Sequence, residues 1–93
     1  MADMLYELEA IIRDRKANPR EGSYTSSLFD TGINRMAQKV GEEAVEVVVA
    51  ALGQERKEQV GELSDLFYHT LVLMTQLGIS LEDVSEELRN RHR

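Results

Sequence analysis

The sequence predicts an all-α fold, an antiparallel bundle of about four helices whose core is completed by homodimerisation. Apolar residues recur at intervals of three and four along most of the chain, the spacing of one helix face. β-Branched residues cluster only at "VEVVVAAL", where a strand is rejected because the helical pattern continues on both sides and no partner strand is available. The chain has 93 residues, and 1–93 is expected to form a single domain.

The first helix is predicted over about residues 3–16. Five apolar residues form its buried stripe: Met4, Leu5, Leu8, Ile11 and Ile12. The helix is expected to end at Asn18-Pro19, because the residue before a proline is steered out of the α region. Residues 20–32, "REGSYTSSLFDTG", are rich in small hydroxyl side chains and are predicted to form a loop with one helical turn at "SSLF".

Two long helices follow. One is predicted over 31–52 with Gly53 as its C-cap, and the next over about 54–77, ending at Gly78. A last helix is predicted to begin with a capping box, Ser80 and Asp83, and to run to about residue 91. The basic tail "RNRHR" at 89–93 is expected to complement the dipole of that helix; the alternative is contact with a neighbouring subunit's substrate.

The amino-acid composition indicates which kinds of partner the protein can bind and in which cellular compartment it is expected. The formal net charge is −6, from 17 acidic and 11 basic residues, so no nucleic-acid partner is expected. The absence of cysteine excludes disulfides and thiolate metal sites and fits a reducing compartment. The start "MADMLYELEA" lacks signal-peptide features, and no apolar run reaches the roughly 18 residues of a membrane span. We therefore expect a soluble cytoplasmic protein with no membrane partner.

The acidic surplus is concentrated in five residues: Glu42, Glu43, Glu46, Glu62 and Asp65. On a wheel of about 100° per residue, the first three lie within one quadrant of the second helix. The other two lie on one stripe of the third helix, together with His69. Both helices are otherwise apolar nearly all round, so these stripes are unusual for buried helices.

Four of these acids are expected to converge: Glu43, Glu46, Glu62 and Asp65. The two helices should pack antiparallel about Gly53, which sets the two stripes at similar heights. Like charges in a small volume would force protonation unless a cation intervenes, and oxygen ligands favour Mg²⁺ or Mn²⁺. A solvated helix face is the plain alternative. A ferritin-like di-iron site is set aside because the sequence contains no Glu-x-x-His pair.

The arrangement Glu42-Glu43-x-x-Glu46, then fifteen residues, then Glu62-x-x-Asp65 resembles the metal-binding signature of the MazG-like all-α NTP pyrophosphohydrolases. Three further stretches, "GSYT", "KVGEEAVE" and "SDLFYHTLVLM", and the tail "GISLEDVSEELRNR" resemble the phosphoribosyl-ATP pyrophosphohydrolase family of histidine biosynthesis. The resemblance covers nearly the whole chain. Residues 63 and 64, "LS", depart from the small apolar residues expected there and leave the acids untouched.

The resemblance implies Mg²⁺-dependent hydrolysis of 1-(5-phosphoribosyl)-ATP to 1-(5-phosphoribosyl)-AMP and pyrophosphate. It implies that the four convergent acids are metal ligands. Glu42, beside them, is the candidate for orienting or deprotonating the water, with metal ligation as its alternative role. A house-cleaning (d)NTP pyrophosphohydrolase of the same superfamily and a non-catalytic helical dimerisation module are the competing interpretations. The intact set of five acids argues against the second.

The remaining candidates concern the substrate. Lys39 and Arg35 lie one and two turns before Glu43 and are expected to bind substrate phosphate; for Lys39 we favour this over a simple i,i+4 ion pair. Ser23, Tyr24 and Thr25 are expected to hold phosphate or ribose, the alternative being an ordinary polar loop. His69 is expected either to orient a metal ligand or to be a hydrogen-bonded core histidine.

A homodimer or higher homo-oligomer is expected. The two long helices are apolar nearly all round, whereas one chain supplies only two shorter helices to cover them. Pairing the long helices of two chains would form a four-helix core and bring a second subunit towards each acidic cleft.

Overall fold

The computed structural model describes residues 3–92, which form five α-helices and no strand. In chain order these are α1 (Asp3–Ala17), α2 (Tyr24–Thr31), α3 (Ile33–Gly53), α4 (Arg56–Leu77) and α5 (Leu81–Arg91). The predicted all-α class is confirmed, but the number of about four helices is too low by one. No helix in this range has the length and apolar character needed to cross a bilayer.

The additional helix is α2, which was predicted as a loop with one helical turn. Ser23 is its N-cap, and the Ser26 N–H donates to Ser23 Oγ at 3.1 Å. The Ser26 side chain is buried: its Oγ accepts from the Arg20 N–H at 3.0 Å and donates to the Arg15 carbonyl at 3.4 Å. These contacts with the last turn of α1 and with the segment that follows it stabilise a helix that the modest helix propensity of serine and threonine does not predict.

α3 and α4 pack against each other more extensively than any other pair of helices. The side chain of Gln59, in the first turns of α4, donates to the carbonyls of Ala50 and Gln54, both at 3.1 Å. The start of α4 is thereby held beside the end of α3, and the two helices run antiparallel. The predicted C-cap is one residue early, because Gly53 is still helical and Gln54 is the cap. Both long helices begin two residues later than predicted.

The predicted end of α4 and the predicted start of α5 are confirmed, and α1 ends one residue later than predicted. α4 is capped by Gly78 at φ 74°, a left-handed conformation that glycine adopts without steric cost. α5 opens with the capping box: the Asp83 N–H donates to Ser80 Oγ at 3.0 Å and the Ser80 N–H to Asp83 Oδ2 at 2.9 Å. α5 buries no residue of its own, and its Leu81 N–H donates to Glu9 Oε2 of α1 at 2.7 Å.

The basic tail lies mostly at the end of α5. Arg89 and Arg91 occupy its last turn, the position in which cations complement the helix dipole. Both also pair with acids of their own helix, Arg89 with Glu86 at 2.7 Å and Arg91 with Glu87 at 2.8 Å. Arg93 lies outside the described residues.

The core is small and is shared by the first four helices. Its buried cluster consists of Ile12, Leu28, Met36, Leu71 and Val72. A set of large apolar side chains on α3 and α4 is exposed instead, and is called here the α3–α4 apolar surface: Val45, Val48, Val49, Leu52, Val60, Leu63 and Phe67.

Candidate metal centre

α3 and α4 bring three carboxylates together. Glu43 of α3 and Glu62 and Asp65 of α4 each offer a carboxylate oxygen, and these oxygens all lie within 4.8 Å of one another. Glu62 and Asp65 are three positions apart and so share one face of α4. The packing of α4 on α3 sets that face beside Glu43. The structure therefore unites three of the four acids expected to converge.

The fourth acid, Glu46, is exposed and lies outside this group. Its charge nevertheless contributes to the raised pKa of Glu62, so it lies at the border of the cluster. The helical wheel placed Glu46 in the same quadrant as Glu43, but it could not give the separation of side chains across two helices.

The electrostatics of the cluster favour a bound cation. The pKa of Glu62 is raised above its ordinary value of 4.5, first by burial and then by the negative charges of the other three carboxylates. A divalent cation would relieve this repulsion. The donors at the cluster are carboxylate oxygens, the ligands that Mg²⁺ and Mn²⁺ prefer, so the residues present fit such an ion.

Glu42 lies on the basic side of the cluster. Its Oε2 accepts a hydrogen bond from Gln38 Nε2 at 2.8 Å and lies 3.6 Å from Arg35 Nη1. The pKa of Glu42 is lowered, chiefly by the hydrogen bond from Gln38, with smaller contributions from Arg35 and Lys39. Glu42 is therefore ionised at neutral pH and accessible to solvent.

The two candidate phosphate-binding cations border the acids. Lys39 Nζ lies 3.4 Å from Glu43 Oε2 and 3.6 Å from Glu42 Oε1, and its side chain is largely buried. Arg35 pairs with Glu42 and is more exposed. The ion pair considered as the alternative for Lys39 is thus present, and both cations lie beside the acids.

The segment 23–25 is the N-terminal end of a helix, not an ordinary polar loop. The Ser23 hydroxyl is occupied as the N-cap, and the Thr25 hydroxyl forms a hydrogen bond with the Tyr68 hydroxyl. Tyr24 remains 54 % exposed, and its ring packs against Tyr68 and His69. Of these three candidates, the Tyr24 side chain is the one most open to a ligand.

His69 lies between these rings and the acids. It is buried, and its ring meets Tyr68 and Tyr24 edge to face, at centroid separations of 5.0 Å and 6.0 Å. Its pKa is lowered first by burial and then by the charge of Lys39, with Glu43 and Asp65 opposing. His69 is therefore a neutral histidine packed in the core at neutral pH, within electrostatic reach of the cluster.

Tyr68 was not singled out by the sequence analysis. It bonds to Thr25 and stacks on Tyr24, with ring centroids 6.2 Å apart. The available signal was its position three residues after Asp65 and directly before His69. Helical spacing predicts from this that Tyr68 lies one turn beyond the acidic stripe.

Comparison with known proteins identifies the family of this arrangement. The profile described as phosphoribosyl-ATP pyrophosphohydrolase matches residues 5–92. The phosphoribosyl-ATP pyrophosphatase of Metallosphaera sedula is 54 % identical over 91 residues, covering 98 % of both chains. That of Pyrobaculum aerophilum is 51 % identical over 92 residues, again covering 98 % of both.

Longer relatives match as well. The histidine biosynthesis bifunctional protein HisIE of Oceanobacillus iheyensis is 47 % identical over 92 residues, which cover 99 % of this chain and 43 % of the relative. The chain thus spans less than half the length of the bifunctional relatives and nearly the full length of the two pyrophosphatases.

Proposed function

This chain belongs to the phosphoribosyl-ATP pyrophosphohydrolase family, and we propose that it hydrolyses 1-(5-phosphoribosyl)-ATP to 1-(5-phosphoribosyl)-AMP and pyrophosphate in cytoplasmic histidine biosynthesis. The carboxylate cluster of Glu43, Glu62 and Asp65 carries the proposal. A hydrolase that releases pyrophosphate must neutralise a highly charged substrate, and an acidic cleft does so through bound cations. The relatives matched over nearly their full length are named for this activity.

The cation is Mg²⁺, with Mn²⁺ as a substitute of similar ligand preference. Glu43, Glu62 and Asp65 would hold it, and Glu46 at the border would complete the set of four. When bound, the cation neutralises charge on phosphate oxygens. It also explains how a chain of net charge −6 binds a polyanion.

The protein's own side chains provide the remaining chemistry. Lys39 and Arg35 bind phosphate oxygens at the edge of the acids. Glu42, an exposed carboxylate, orients the attacking water and accepts its proton as a weak base, because the hydrogen bond from Gln38 lowers its pKa. The water oxygen bonds to phosphorus, the α–β phosphoanhydride bond breaks, and pyrophosphate leaves.

The start of α2 binds the ribose or phosphate groups of the substrate. The first N–H groups of a helix lack intrahelical acceptors and favour anions, which suits the backbone of Tyr24 and Thr25. The hydroxyls of Ser23 and Thr25 are engaged within the protein, so the accessible Tyr24 side chain is the remaining polar contact. His69 supports the acids from the core side rather than touching substrate.

The active form is a homodimer built on the α3–α4 apolar surface. Its seven large side chains are between 42 % and 85 % exposed in one chain, an extent that monomeric proteins rarely leave uncovered. The radius of gyration of the chain is 14.2 Å. A compact chain of this length is expected to have a radius of gyration of about 12 Å. Covering this surface with a second copy buries it and encloses the cleft.

Pyrophosphate release tests the proposal. Phosphoribosyl-ATP and ATP are compared as substrates, each with Mg²⁺ and with excess chelator. We expect release from phosphoribosyl-ATP only with Mg²⁺, lost on chelation and restored by Mg²⁺ but not by added monovalent salt. Full turnover in chelator would refute the metal assignment. Equal turnover of ATP and other nucleoside triphosphates would instead favour a house-cleaning pyrophosphohydrolase.

A further inference from the structure

Three aromatic rings meet where α2 packs against α4. Tyr24 and Tyr68 stack with an interplanar angle of 25°, and the His69 ring stands edge-on to both. The Tyr68 hydroxyl is also hydrogen-bonded to the Thr25 hydroxyl. One residue of α4 thus contacts the first two residues of α2, one through its ring and the other through its hydroxyl.

α2 needs such a contact at its N-terminal end. It has only eight residues and lies between Gly22 and Gly32, whose φ angles are 84° and 89°. Helices this short are marginal by themselves, so their position depends on tertiary contacts. Buried Ser26 ties α2 to the end of α1, and Leu28 enters the core. The hydrogen bond between Thr25 and Tyr68 and the stacking of Tyr24 on Tyr68 both link its first turn to α4.

α4 also carries Glu62 and Asp65, so Tyr68 connects the start of α2 to the helix of the acidic cluster. His69, in contact with the rings of Tyr68 and Tyr24, lies within electrostatic reach of Asp65. The pKa of Tyr68 is raised, chiefly by burial, so its hydroxyl keeps its proton and its hydrogen bond across the neutral range.

We propose that Tyr68 is a positioning residue that holds Tyr24 and Thr25 at a fixed place relative to the Glu43–Glu62–Asp65 cluster, and thereby sets the affinity for the nucleotide. Tyr68 acts through Thr25 and Tyr24 and does not itself touch the reacting atoms. The consequence for affinity rests on the proposed function, whereas the anchoring of α2 does not.

Tyr68→Phe removes the hydroxyl and keeps the ring; Thr25→Val removes the partner hydroxyl. Amide hydrogen exchange of residues 23–28 in nucleotide-free protein should be about fivefold faster in each variant, the factor equivalent to one hydrogen bond of about 1 kcal/mol. The double variant should exchange no faster than either single one, because both remove the same bond. Tyr6→Phe, at an exposed tyrosine of α1, is the matched control and should leave this segment unchanged.

The kinetic arm separates positioning from a structural role. In Tyr68→Phe the KM for phosphoribosyl-ATP should rise several-fold while kcat and the Mg²⁺ requirement stay within about twofold of wild type. The proposal would be overturned if amide exchange at residues 23–28 stayed at the wild-type rate in both variants. It would also be overturned if that exchange became faster while the KM for phosphoribosyl-ATP stayed unchanged. If Tyr68→Phe fails to fold, Thr25→Val decides the exchange arm, and unchanged exchange in that variant is enough to overturn the proposal. A wild-type protein without turnover would refute the proposed function alone, and the exchange arm would still decide whether Tyr68 anchors α2.

Discussion

Lys39 Nζ lies 3.4 Å from Glu43 Oε2, so a cation of the protein borders the carboxylate cluster. The Lys39 side chain is only 18 % exposed, which limits its choice of partners to the acids around it. A divalent ion bound by Glu43 would weaken this pairing and free the ammonium group to bind phosphate. We therefore expect the ion pair and the proposed phosphate contact to be alternative states of Lys39.

Lys39→Met should lower kcat/KM by about 10- to 100-fold, mainly through KM, because a hydrogen bond to a charged group contributes about 1.5–3 kcal/mol. Loss of a positive charge beside Glu43 should leave Mg²⁺ binding unchanged or tighter. Steady-state kinetics and calorimetric Mg²⁺ titration measure the two effects. Lys57→Met, on the exposed first turn of α4, is the control and should retain wild-type kinetics. A Lys39→Met variant with wild-type KM would show that the residue serves only the ion pairs.

Glu62→Gln should weaken Mg²⁺ binding by at least about tenfold, since disturbing even outer-shell partners of a metal site costs about 10- to 100-fold. The same change should stabilise the metal-free protein, because the raised pKa of Glu62 reflects burial and repulsion by three other carboxylates. Urea unfolding in chelator and Mg²⁺ titration test the two effects together.

Glu58→Gln is the matched control for Glu62→Gln. Glu58 lies one turn earlier on α4, is exposed, and is not in the carboxylate group. It should keep wild-type Mg²⁺ affinity. If Glu62→Gln lowers metal-free stability instead, Glu62 is a structural residue whose ionised form the fold favours.

The sequence predicted four of the five described helices and predicted only one helical turn where α2 forms, and this difference has a physical cause. α1, α3, α4 and α5 carry long apolar stripes or strong caps, which are local signals. α2 has neither a long stripe nor strong helix formers, and forms because Ser26 and Leu28 are buried against other helices. The local pattern of residues in the sequence does not predict stabilisation that comes from contacts with other helices.

The same distinction applies to the site. Helical spacing located Glu43, Glu62 and Asp65 correctly on facing stripes, because spacing fixes direction around a helix axis. It placed Glu46 among them, although the separation of side chains also depends on how the two helices pack. The contact of Tyr68 with Thr25 joins residues 43 positions apart and leaves no periodic signal in the sequence.

Ser80→Ala should destabilise α5, with a cost of about 1 kcal/mol, because it removes the N-cap hydroxyl that accepts from the Asp83 N–H. α5 buries no residue, so its fraying should exceed that of the other helices. Amide exchange across residues 81–88 measures this. Ser85→Ala, in the middle of the same helix, is the control and should not increase exchange.

The capping box also predicts a dependence on pH. Hydrogen bonds with the backbone and side chain of Ser80 lower the pKa of Asp83 below its ordinary 3.8. A carboxyl with a depressed pKa stabilises the folded state above its unfolded pKa, and that stabilisation is lost as pH falls through the folded pKa. Fraying of α5 in wild type should therefore increase below about pH 4. Asp83→Asn should remove this component, and an identical acid response in both proteins would contradict it.

Val48→Asp should convert the proposed homodimer to a monomer. Val48 is 56 % exposed within the α3–α4 apolar surface, and burying an unpaired carboxylate there on association costs several kcal/mol. Light scattering on dilute protein, near micromolar, measures the mass of each variant. Ile11→Asp, at an exposed apolar residue of α1, adds the same charge outside that surface and should remain dimeric.

Activity should fall together with the dimer. If a second copy encloses the cleft, Val48→Asp should lose most turnover even though it lies outside the carboxylate cluster, and raising the protein concentration should recover part of it by mass action. Circular dichroism must show an intact helical fold for this comparison. A wild-type chain that is a folded and active monomer at micromolar concentration would contradict both the dimer and the enclosed cleft, because the exposed valines and Leu52 would then have no partner to bury them.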